Sequence, residues 1–77
     1  MSRETVDTII ATLNQMDVGG LDAIRLRLVG VREELARRGL SELVEKVDEC
    51  AAALERGDLA AFRRLRATMV SRLGHLR

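Results

Sequence analysis

Proline, tryptophan and tyrosine are absent from this 77-residue sequence, and Phe62, Cys50 and His75 are each the sole member of their class. Each shortage excludes something. One cysteine forms no internal disulfide, and with a single histidine it falls short of the Cys/His ligand set of a structural zinc site. No stretch of about 18 uncharged apolar residues exists, so a membrane span is not expected. The first residues lack a basic segment leading into an apolar one, so no secretory leader is expected either. With a lone thiol suited to a reducing compartment, the expected location is cytoplasmic.

Catalytic constellations are equally scarce. There is no Gly-rich phosphate loop, no Ser/His/Asp set and no carboxylate cluster at metal-ligand spacing. A Cys50/His75 dyad fails on reach. Register about the Gly57/Asp58 turn places His75 beside residue 40, ten residues from Cys50, or about 15 Å along a helix. Cys50 lies in line with Val47 and Leu54 and reads as a small buried hydrophobe. Acids such as Glu33 and Glu34, or Glu45, Asp48 and Glu49, read as solubilising residues on polar helix faces. No enzyme activity, cofactor, metal or small-molecule substrate is expected.

What is present is Leu, Ala, Arg and Glu in abundance, the composition of a helix former. Residues 1–77 are expected to form one helical-bundle domain. So short a chain buries a small core, which leaves no more than about 3–5 kcal/mol of net stability. Small folds add a disulfide, a metal or self-association. Only the last remains available here.

Apolar spacing predicts four helices, at residues 3–17, 21–38, 41–56 and 58–75. Ser2 is placed to cap the first, with Glu4 and Asp7 near its positive end and Val6, Ile9, Ile10, Leu13 and Met16 on one face. Gly19 and Gly20 break the chain into a tight link, the alternative being one long kinked helix. Gly39 closes the second helix, and Ser41 is placed to cap the third. Gly57 stops that helix, and Asp58 caps the fourth. So short a turn makes helices three and four antiparallel neighbours. The Ala53-Leu54-x-x-Gly57-Asp58 turn resembles those of tetratricopeptide-like hairpins. That likeness spans one turn, without the Trp, Tyr and Pro positions of the repeat or a second copy, so no family is assigned.

The predicted fold class is an all-α, antiparallel four-helix bundle that self-associates. Its expected core is Val6, Ile10, Leu13, Ile24, Leu28, Val31, Leu35, Leu43, Val47, Cys50, Leu54, Phe62, Leu65, Met69 and Leu73. Gly30, inside the second helix, reads as a close helix crossing. The second helix also carries apolar residues off its Leu21, Ile24, Leu28, Val31, Leu35 stripe. Leu26 lies about 160° from Leu28 at 100° per residue, and Val29 is off the stripe as well. Either three helices of the same chain enclose this helix, or Leu26 and Val29 meet a partner, with Met16, Val18 and Met69 as candidate neighbours.

Thirteen basic against twelve acidic residues give a net charge of +1, but the distribution is uneven. Residues 39–57 carry five acids against Lys46 and Arg56, a balance of −3, and residues 58–77 carry five arginines against Asp58, a balance of +4. Helix register pairs Arg66 with Glu49 and Arg72 with Glu42, so the two helices can neutralise each other. The other view is a basic strip of Arg63, Arg64, Arg72, His75 and Arg77 for nucleic acid or an acidic partner. The arginines of the second helix (Arg25, Arg27, Arg32, Arg37, Arg38) are expected to be solvated. The expected function is a non-enzymatic interaction or regulatory module that docks helix face against helix face. Its partner would be a second copy, forming a homodimer, or another helical protein, with Leu26 and Val29 as anchors. A nucleic-acid-binding accessory protein using Arg63, Arg64 and Arg72 is the alternative.

Overall fold

Glycine-bearing links divide the apolar stripes into four α-helices in the computed structural model, which describes residues 2–16 and 18–76. They are α1 (Arg3–Asn14), α2 (Leu21–Arg37), α3 (Ser41–Glu55) and α4 (Leu59–Gly74), and no strand is present among the described residues. Helices two to four begin and end within one residue of the expected bounds. Helix α1 ends earlier than residue 17, and Asp17 lies outside the described residues.

Local chemistry sets the ends. The Ser2 hydroxyl accepts from the Thr5 amide at 3.2 Å, and Asp58 accepts from the Ala61 amide at 3.1 Å, so both expected caps are in place. Gly39 and Gly57 take φ of 71° and 73°, a region open to glycine at little cost. Each closes its helix with two bonds that reach back along the chain. Gly39 and Leu40 donate to the carbonyls of Ala36 and Leu35, and Gly57 and Asp58 donate to those of Leu54 and Ala53. At α3 this overturns the expected Ser41 cap. Leu40 occupies the N-cap position without a side-chain bond, because the same residue completes the α2 terminator and α3 starts immediately after it.

The helices form a ring in which α1 meets α4, α4 meets α3, α3 meets α2, and α2 returns only thinly to α1. Across α2 and α3, Arg25 bonds Glu55 at 2.6 Å and Arg32 bonds Asp48 at 2.8 Å. Across α3 and α4, Glu42 pairs with Arg72 at 3.7 Å, and the Cys50 thiol lies 3.8 Å from the Phe62 carbonyl. Arg25 and Arg32 are exposed, as expected, but each is also ion-paired across the helix boundary. They face α3, whose acids lie within reach.

Burial of leucine, valine, methionine and phenylalanine, each worth about 1.5–3 kcal/mol when fully buried, drives the assembly. The core contains Val6, Leu13, Leu28, Val31, Leu35, Leu43, Val47, Cys50, Leu54, Phe62, Met69 and Leu73, as expected, together with Ile9, Met16, Ala53 and Ala61. Ile10, Ile24 and Leu65 are only partly buried. On α1 the inward stripe is Val6, Ile9 and Leu13, with Met16 buried just past its end, because α1 docks chiefly on α4 and turns Ile10 toward the edge. Ala53 and Ala61 flank the Gly57/Asp58 turn, where the two helices converge and small side chains are enclosed. Met16 and Met69 are fully buried, so neither borders an exposed apolar patch.

Candidate interaction surface

The side of α2 turned away from the core is exposed. At 100° per residue, Leu28, Val31 and Leu35 take the inner side and Arg25 and Arg32 the flank toward α3, leaving Leu26 and Val29 outside. Leu26 is 73% exposed and Val29 52%. Neither is enclosed by the chain's own helices. Asp22, Gly30, Glu33 and Arg37 are exposed on the same side. The other exposed large apolar residues are scattered: Val18 and Leu21 near the α1–α2 link, Leu59 at the start of α4, and Leu76 at the far end of the chain.

Gly30 differs from expectation. A Cβ added there would meet nothing within 4 Å, so no helix of this chain crosses close to it. The reason is the thin α1/α2 contact, which leaves a groove of about 560 Å³ with Ile9 and Val31 among its lining, the α1 threonines on one wall, and Arg27, Gly30 and Glu34 on the other. The Thr8 and Thr12 hydroxyls donate back to the carbonyls of Glu4 and Thr8 at 2.9 and 3.0 Å, so their protons point into their own helix. Arg27 donates to the Val18 carbonyl and reaches the Met16 carbonyl at 3.5 Å, tying the α1–α2 link to the body of α2.

Charges around this side are mostly paired locally. Glu34 accepts from Arg38 at 2.7 Å and from Arg37 at 2.8 Å. The Arg38 hydrogen bond foremost, aided by both nearby guanidinium charges, holds the Glu34 carboxyl below its ordinary range against the opposing effect of desolvation. Hydrogen bonding to Glu55 and to Asp48 raises the pKa of Arg25 and Arg32 respectively, which keeps both firmly cationic.

The basic residues singled out from the sequence lie elsewhere. Arg63 and Arg64 are exposed near the start of α4 and form no ion pair among the described residues, whereas Arg72 faces Glu42. Arg66 stands over the Phe62 ring, 5.8 Å from its centre, and Glu49 has Lys46 at 3.2 Å. Helices α2 and α4 are not neighbours in the ring. Leu26 and Val29 therefore form one surface, and Arg63 and Arg64 a second.

Cys50 is buried beside Phe62, and desolvation pushes its thiol up to about 11, outweighing the nearby Arg66 charge. His75 is exposed at the C-cap of α4. Among the described residues no three His, Cys, Asp or Glu side chains converge as metal ligands, and no helix is long and apolar enough to cross a membrane.

The sequence offered Leu26 and Val29 because they fall off the heptad stripe. Nothing in that pattern singled out Asp22 and Arg37, although the expected helix already spans both and 100° per residue puts them on the same side. No family model matches this chain, and no curated protein or solved structure matches it.

Proposed function

We propose that this chain is a non-enzymatic interaction module, an antiparallel four-helix bundle that pairs with a second copy of itself through the outer side of α2. The observation that carries this is the exposure of Leu26 and Val29 on a helix whose inner side is already filled by Leu28, Val31 and Leu35. Adjacent apolar side chains left in water on one helix side favour a helix partner. A two-fold pair is the simplest closed form, because one surface serves both copies. The antiparallel order is supported by contacts whose residue numbers rise along one helix as they fall along the next: Arg25 with Glu55, then Arg32 with Asp48.

Light scattering and sedimentation at tens of micromolar test the pairing. The wild type is expected to show dimer mass, and Leu26→Glu monomer mass with unchanged helicity. A monomeric wild type refutes the proposal.

A second reading rests on a different surface. Arg64, Lys46 and Arg56 line a shallow groove between α3 and α4, with Arg63 exposed alongside, an arrangement that favours phosphate contacts. Glu49 lines the same groove, which weakens the attraction. For a nucleic-acid-binding protein, a gel-shift series shows binding that falls steeply with salt and with Arg63→Glu/Arg64→Glu. Absence of any shift at low salt removes this reading.

A further inference from the structure

The outer side of α2 is self-complementary in one orientation. Asp22, Leu26, Val29, Gly30, Glu33 and Arg37 fall within a sector of about 100° on this helix, and their positions are symmetric about the midpoint between Val29 and Gly30. A two-fold axis through that midpoint lays a second α2 across the first in the opposite direction. Asp22 then faces Arg37 of the second copy, Val29 faces the second copy's Gly30, and Leu26 lies along the aliphatic stem of the second copy's Glu33. A two-fold axis running along the helices gives the opposite result. It sets Asp22 against Asp22, Glu33 against Glu33 and Arg37 against Arg37, which like-charge repulsion disfavours.

Two features of the single chain support the crossed arrangement. The Asp22 and Arg37 side chains are 94% and 72% exposed, and their ion pairs are with near neighbours on α2 itself, Arg25 at 3.3 Å and Glu34 at 2.8 Å. Neither pair draws its residue in toward another helix of the chain. Gly30 weakens the helix that contains it, and since an added Cβ meets nothing within 4 Å, no packing inside this chain requires it. The bare backbone there leaves room for the close approach of an external helix.

We propose that two copies associate by an antiparallel α2–α2 crossing centred on Val29 and Gly30, with reciprocal Asp22–Arg37 pairs fixing the register. This rests on the reading that the chain self-associates. The test is sedimentation of Asp22→Lys and Arg37→Glu separately and as an equimolar mixture, with circular dichroism as a control for folding. Each variant alone sets like charges together twice and is expected to associate at least about tenfold more weakly than wild type. The mixed dimer restores both pairs. In it, the lysine introduced at position 22 of one copy faces the glutamate introduced at position 37 of the other, and the unaltered Arg37 of the first faces the unaltered Asp22 of the second. Dimer mass is therefore expected to return on mixing.

Gly30→Leu provides an independent readout. A Cβ added there meets nothing within 4 Å in the single chain, so helicity is expected to be retained while dimer mass is lost. Each result bears on a different claim. A monomeric wild type overturns self-association itself. A dimeric wild type with no recovery on mixing, or with Gly30→Leu still dimeric, overturns the α2 crossing alone.

Discussion

Removing water from a thiol makes it harder to ionise, and at Cys50 this has a consequence for stability. The ordinary value of 9.0 is pushed to about 11 in the fold, so the folded chain holds a proton that the unfolded chain releases between those values. The contribution is fully present below pH 9 and is lost as pH rises toward 11, by on the order of 2 kcal/mol. Urea titrations across that range are expected to show the wild type losing more stability than Cys50→Ala. The native thiol should also react with a thiol reagent far more slowly than the unfolded one. Gly30 gives a prediction of opposite sign. With open space beside its Cα, Gly30→Ala is expected to stabilise the isolated chain by about 0.5–1 kcal/mol, measured by thermal melting at concentrations too low for association. Cys50 was legible because it falls in line with Val47 and Leu54. The surroundings of Gly30 were not, since a glycine at a tight crossing and one beside open space leave the same mark in a sequence.

Among the elements, the α3–α4 turn carries the most information per residue. Gly57 ends one helix and Asp58 both completes that ending and caps the next, donating its amide to Ala53 at 2.9 Å and accepting from Ala61 at 3.1 Å. Asp58→Ala is expected to cost about 1 kcal/mol in urea unfolding, because the Ala61 amide loses its partner. Asp58→Asn should recover most of that loss. The stop and start were legible because both residues have strong preferences for those positions. Ser41 misled because the same preference was overruled: Leu40 is held by its bond to Leu35, and the helix begins around it. Side-chain pairing between helices was partly legible. Arg72 with Glu42 follows from the register of a short turn, whereas Arg25 with Glu55 and Arg32 with Asp48 depend on which flank of α2 faces α3, and that angle is set by packing.

At the scale of the whole molecule, the ring is uneven. Helices α2, α3 and α4 are joined by broad contacts, while α1 leans on α4 and barely meets α2. The sequence showed four amphipathic stripes but not this inequality, because a stripe of Val6, Ile9, Leu13 and Met16 looks the same whether it faces one neighbour or two. The inequality predicts the order of opening. Undocking α1 exposes its three buried side chains, Val6, Ile9 and Leu13, each worth about 1.5–3 kcal/mol, so the helix stays docked in the native state. It breaks fewer contacts than separating α3 from α4, and so requires less free energy than opening the remainder. Native-state hydrogen exchange is expected to show α1 amides exchanging through a lower-energy opening than those of α3 and α4. Leu13→Ala, with a cost of about 2–5 kcal/mol at a fully buried site, should lower protection in α1 first. Equal opening energies in all four helices, before and after that substitution, would show instead that the ring unfolds as one unit and that the thin α1/α2 contact does not govern its stability.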